Sequence, residues 1–197
     1  MNIYFVRHGK TEWNLEKRLQ GQHGDSELLP ESYEAIKHLA ESLSDVHFDL
    51  VKSSPQKRAM TTAKLLTNQD PEADARLSEW NFGELEGQLI VDSVAKYPEE
   101  MQASREYLPH FDGSKFGAES VESVLNRFDD LADELKNSQA ENILLVGHGA
   151  SGTAGIRHLA GFPLAELRSA GGLANNTVSI LRLEGEQFKL QKWNESL

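Results

Sequence analysis

The stretch Ile3-Tyr4-Phe5-Val6-Arg7-His8-Gly9-Lys10-Thr11-Glu12-Trp13-Asn14 decides how the chain is read. Its four leading apolar residues, bounded by polar ones, suit a short strand buried on both faces of a parallel sheet. The strand stops at Arg7-His8-Gly9. Ligands of open α/β sheets gather just beyond the carboxyl ends of the strands, so this triplet lies where chemistry is expected. A second stretch repeats the design, with Ile143-Leu144-Leu145-Val146 running into Gly147-His148-Gly149. The expectation is that His8 and His148 face one another across one pocket.

Working outward, Thr11 to Asn14 opens a helical turn, which sets the His8-Gly9 corner near backbone N–H groups that favour anions. Arg18-Leu19-Gln20-Gly21-Gln22-His23-Gly24-Asp25-Ser26 is rich in turn formers and reads as a loop. Residues 31–44 carry Ala35, Ile36, Leu39, Ala40 and Leu43 at helical spacing. Phe48-Asp49-Leu50-Val51 is a candidate strand running into Ser53-Ser54-Pro55, where Ser54 is expected to cap a helix with Pro55 in its first turn. Arg58 then falls one turn into that helix, close to the end of its strand.

Residues 76–87 form a glycine-punctuated loop loaded with acids, and the pattern from Asp92 to Gly117 is weak, as in an insertion or lid over the sheet's edge. Helical spacing returns over 119–136, and a helix is expected from about Ala150 to Leu159. The stretches 178–183 and 188–193 flank Glu184-Gly185-Glu186 as a hairpin, and Asn175 and Asn176 belong to the turn before it. Strands alternating with helices predict an α/β fold with a mainly parallel sheet and a late antiparallel edge, in one domain over 1–197.

Bulk properties narrow the function. The chain has 197 residues, 39% of them hydrophobic and 26% charged, which is ordinary for a globular domain. A net charge of −11 with no long basic run argues against nucleic acid or an anionic membrane as the main partner. An anionic ligand must then be drawn in by a few local arginines, against the overall field. With no cysteine, there is no disulfide, thiolate nucleophile or sulfur-ligated metal. No basic leader or membrane-length apolar segment is evident, so a cytoplasmic location is expected. Oligomeric state is not legible.

Two arginines, two histidines and a nearby acid suit transfer of a phosphoryl group, whose transition state spreads negative charge over three oxygens. A neutral imidazole can attack phosphorus if its other nitrogen is held by an acceptor. A leaving alkoxide needs a proton from a carboxylic acid. A dication held by His8, His148 and Glu79 would be repelled by the adjacent arginines, and no paired-histidine metal spacing occurs.

Val6-Arg7-His8-Gly9 followed by Asn14 resembles the signature of the histidine phosphatase superfamily, in its phosphoglycerate mutase-like branch. Further blocks are similar in order: Ser53-Ser54-Pro55-Gln56-Lys57-Arg58-Ala59, Leu77-Ser78-Glu79 with Phe82-Gly83 and Glu86-Gly87, Gly117-Ala118-Glu119-Ser120, and Val146-Gly147-His148-Gly149. The resemblance spans roughly residues 3–180. It implies a three-layer α/β/α sandwich and a metal-independent, cofactor-free phosphomonoesterase acting on a small-molecule phosphate ester. His8 would become phosphorylated, while Arg7, Arg58 and His148 hold the phosphoryl oxygens. Asn14 and the backbone near Gly149 would assist, and Glu79 would donate the proton, with Glu84 and Glu86 as rivals.

Arg18-Leu19-Gln20-Gly21-Gln22 resembles the phosphatases better than the mutases, which places Gln20 and Gly21 at the phosphate. Lys10 stands where the family usually has Gln or Glu, a candidate rim cation for a second acidic group. Phe5, Leu85 and Ser32 also depart from the usual residues. His23 and His110 lie in segments that could border the pocket. A mutase-type isomerase and a non-catalytic phospho-ligand binder are the competing readings.

Overall fold

The computed structural model describes residues 1–197. Six strands form one sheet: β1 (Asn2–Arg7), β2 (Leu50–Ser53), β3 (Glu72–Ala73), β4 (Asn142–Gly147), β5 (Val178–Glu184) and β6 (Gln187–Glu195), in the spatial order β3-β2-β4-β1-β5-β6. The pairs β3–β2, β2–β4 and β4–β1 are parallel, whereas β1–β5 and β5–β6 are antiparallel. The two central strands are apolar on both faces. Ile3, Phe5, Ile143 and Leu145 belong to one core and Val6, Leu144 and Val146 to another. Alternate side chains of a strand point to opposite faces, so helices must cover both.

One face is covered by α2 (Pro30–Ser42) and α3 (Lys57–Thr67), through Ile36, Leu39, Ala59, Ala63 and Leu66. The other is covered by α6 (Val121–Lys136) and α7 (Ala150–Leu159), through Val124, Phe128, Leu131, Leu135, Ala154 and Ile156. These layers make the three-layer sandwich. A short α1 (Glu12–Leu15) follows β1, closed by a capping box between Thr11 and Asn14.

The weakly patterned segment holds two short helices, α4 (Ile90–Lys96) and α5 (Pro98–Glu106), then two 3₁₀ turns. They pack on a separate small cluster of Leu19, Leu85, Met101 and Phe116. One local expectation is corrected. Ser54 does not cap α3, which begins at Lys57 with Gln56 in the extended cap position. Asp25 caps it instead from the 18–26 loop, its carboxylate accepting from the N–H groups of Lys57 (2.6 Å) and Arg58 (3.4 Å).

Candidate active site

Parallel pairing of β1 with β4 sets Arg7 opposite Gly147, so the next residues, His8 and His148, emerge side by side. Their ring centroids are 5.1 Å apart with planes at 61°. Both rings are buried. His8 Nδ1 lies 2.7 Å from the carbonyl oxygen of Gly9, which can only accept, so that nitrogen carries the hydrogen. Nε2 therefore presents a lone pair, and Arg58 Nε donates to it at 3.2 Å. Burial first, then the Arg58 and Arg7 charges, hold His8 well below the usual imidazole range. His148 is lowered in the same way by burial and by Arg58.

Around this pair the cations are held by backbone oxygens. Arg58 donates to the carbonyls of Gly24 (2.6 Å) and Gly21 (3.2 Å) and pairs with Asp25 at 3.1 Å. Arg7 donates to Leu173 O, and its Nε is buried without an acceptor. A Cβ on Gly149 would come within 3.0 Å of the Arg7 guanidinium carbon, so a larger residue there would press on that head group. Burial lowers the pKa of both arginines from the ordinary value.

Glu79 lies just beyond the 3₁₀ turn Ala75–Leu77 and accepts three backbone N–H groups. Ser151 (2.7 Å) and Trp80 (2.8 Å) reach Oε1, and Ala150 (3.0 Å) reaches Oε2. Two of these are orphan donors of the first turn of α7, so Glu79 seals the helix end that follows His148. The cavity here measures about 420 Å³ and is lined by Arg7, His8, Asn14, Glu79 and Gly149. Met101, Ser104 and Arg105 of α5 also line it.

Other residues singled out from sequence fall in different places. Asn14 lines the cavity, its Oδ1 accepting from Thr11 N (3.1 Å) and Asn175 Nδ2 (3.3 Å). Gln20 also lines it, but its amide is engaged by Thr11 and Ser26. Gly21 contributes a carbonyl to Arg58 rather than a surface to the cavity. Lys10 is not brought to the cavity wall; only its carbonyl is engaged, by Leu29 and Ser32. His23 and His110 are exposed and outside the lining.

The family model described as "Histidine phosphatase superfamily (branch 1)" matches residues 3–196. This chain belongs to that superfamily. Phosphoserine phosphatase 1 of Hydrogenobacter thermophilus is 30% identical over 198 residues, covering 98% of this chain and 92% of the relative. Phosphoglycerate mutase-like protein 4 of Arabidopsis thaliana is 28% identical, covering 98% and 84%. Among solved structures, a mycobacterial glucosyl-3-phosphoglycerate phosphatase complexed with VO3 superimposes with a TM-score of 0.90 at 30% identity, covering 99% of each chain.

In this histidine phosphatase superfamily member, several supporting groups escaped the sequence reading. Ser54, expected as a helix cap, lies 2.7 Å from His148 Nε2 and 3.2 Å from Gln56 Oε1. Glu86, weighed only as a rival acid, accepts the N–H groups of Gln22, His23, Gly24 and Phe82. Asn175 donates to His8 O at 2.9 Å. Arg168 lines the cavity beside Trp80. The signal for Ser54 and Glu86 was their place in the family blocks; for Arg168 there was none.

Proposed function

We propose that this chain is a metal-independent phosphomonoesterase working through a phosphohistidine at His8. The observation that carries the reading is the His8 ring itself: Nδ1 is tied to the Gly9 carbonyl, and Nε2 is a lone pair at the cavity wall between guanidinium groups. A phosphoryl group entering from the cavity draws the Arg58 and Arg7 N–H groups onto its oxygens, freeing Nε2 to attack phosphorus. The N–P bond forms as the ester P–O bond breaks, and Glu79 gives its proton to the departing oxygen. The three N–H groups it accepts in the free site occupy three of its four lone-pair sites, leaving one on Oε2 for that proton. Water then attacks phosphorus, Glu79 takes a proton back, the N–P bond breaks, and phosphate leaves.

His148 serves as a neutral donor. Its Nδ1 is buried without a partner. Ser54 has one hydrogen and two acceptors in reach, His148 Nε2 at 2.7 Å and Gln56 Oε1 at 3.2 Å; given to the nearer, it leaves the ring's own hydrogen on Nδ1, free to reach a phosphoryl oxygen. Asn14 Nδ2 and the N–H groups near Gly149 supply further donors. The helices over 90–106 act as a lid that shapes the leaving-group side. Release of chromophore and stoichiometric phosphate from an aryl phosphate, without added metal, tests the reading. An absence of turnover over a broad pH range would identify a binder instead. Interconversion of phosphoglycerate isomers with little free phosphate would identify a mutase.

A further inference from the structure

We infer that the Arg168 guanidinium is a built subsite for a carboxylate on the leaving group, so that the preferred substrates are small phosphomonoesters of hydroxy acids or amino-acid-like alcohols. The inference rests on the phosphomonoesterase reading and extends it. Arg168 is only 8% exposed, lines the cavity and forms no ion pair. Nη1 donates to the carbonyl of Ala150 at 3.0 Å. Nε is buried with no acceptor, and Nη2 donates to no protein group. Nε and Nη2 form one edge of the guanidinium plane, a two-donor fork that matches the two oxygens of a carboxylate.

Position assigns that edge to the leaving group rather than to phosphorus. The carbonyl that Arg168 holds belongs to Ala150, whose N–H donates to Glu79 Oε2. The guanidinium is therefore joined through Ala150 to the carboxyl that protonates the departing oxygen. The Trp80 ring centroid lies 5.6 Å from the Arg168 guanidinium carbon, a cation–π contact. A buried arginine without a counter-charge is costly, and here burial brings its pKa down to about 10 against a partial offset from Glu79. An incoming carboxylate removes that cost. In a chain of net charge −11, an anion held at this point needs a dedicated cation. Arg7 presents the same kind of free edge but sits beside His8 at the phosphoryl end, and Arg105, on α5, is exposed and has no such fixed setting.

Calorimetric titration of the full chain with 4-phosphonobutyrate and with propylphosphonate, which differ only in the carboxylate, tests the subsite without turnover. Wild type should bind the former tighter by about tenfold or more, the worth of a charge-assisted bidentate contact. Arg168→Met should bring the two within about twofold while leaving propylphosphonate affinity near wild type. Arg168→Lys should recover part of the preference, and Arg105→Met should keep it. Equal affinities in wild type, or an equal loss for both ligands in Arg168→Met, would overturn the assignment. So would a preference that vanishes with Arg105 instead. Failure of wild type to bind either phosphonate would overturn the phosphomonoesterase reading and the subsite together. Tight propylphosphonate binding without a carboxylate preference would remove the subsite alone.

Discussion

At the scale of single residues, the roles of His8 and Glu79 separate by chemistry. In the proposed reaction His8 is the nucleophile, since its far nitrogen is committed to the Gly9 carbonyl, and Glu79 moves the proton. Glu79→Gln keeps the size and two-pronged shape of the side chain but has no proton of the right acidity to give. It should slow alkyl phosphates by about 100-fold or more and aryl phosphates, whose leaving groups depart without a proton, by less than about tenfold. Steady-state kcat on paired substrates measures this; equal losses on both would remove Glu79 from the acid role. His8, His148, Arg7 and Arg58 were legible because strand-end position and residue type coincide in short contiguous blocks. Arg168 was not, because its meaning comes from an absent partner, and sequence does not display a missing counter-charge. Lys10 shows the converse: its departure from the family's usual Gln or Glu suggested a rim cation, but it is not among the residues that line the cavity.

At the scale of elements, the 18–26 loop is the part that the site depends on most and that pattern reveals least. Its carbonyls at Gly21 and Gly24 aim Arg58 at His8, and its Asp25 caps α3. The loop is itself held by Glu86, which accepts three of its N–H groups. A Cβ on Gly21 would fall 2.3 Å from Glu86 Oε1, so the approach is close enough to require glycine. Glu86→Ala should therefore weaken orthovanadate inhibition about tenfold or more, with Glu86→Gln, which keeps one acceptor oxygen, recovering part of it. Inhibition constants unchanged in Glu86→Ala would dissociate the loop from Arg58. The long elements were readable from period alone. The pair α4 and α5 was not: they are 7 and 9 residues long and meet at Tyr97, too short for a periodic stripe to repeat. Strand β3 has two residues, both exposed, and leaves no apolar signature at all.

At the scale of the whole molecule, sheet register brings the chemistry together. Two apolar strands distant in the chain pair in parallel, and the residues just beyond that pairing become neighbours. The arrangement has a thermodynamic consequence. Both histidines are held well below their unfolded range, mainly by burial. As pH falls through about 6.5, the unfolded chain takes up protons that the folded chain refuses, so stability is highest above that pH and declines below it. The loss is about 1 kcal/mol for each histidine per pH unit until the folded rings themselves protonate. Denaturant unfolding at pH 7.5 and 5.5 should show it, and His148→Asn should flatten the dependence. A pH-independent midpoint in wild type would mean that the rings are not held neutral.

The central claim is a covalent bond between His8 and phosphorus. Mixing the protein with a labelled aryl phosphate and quenching in alkali, where phosphohistidine survives, should trap the label on the peptide carrying His8. His8→Ala should show neither trapped label nor turnover. Steady turnover with no label on His8, or label found on His148 instead, would contradict the account.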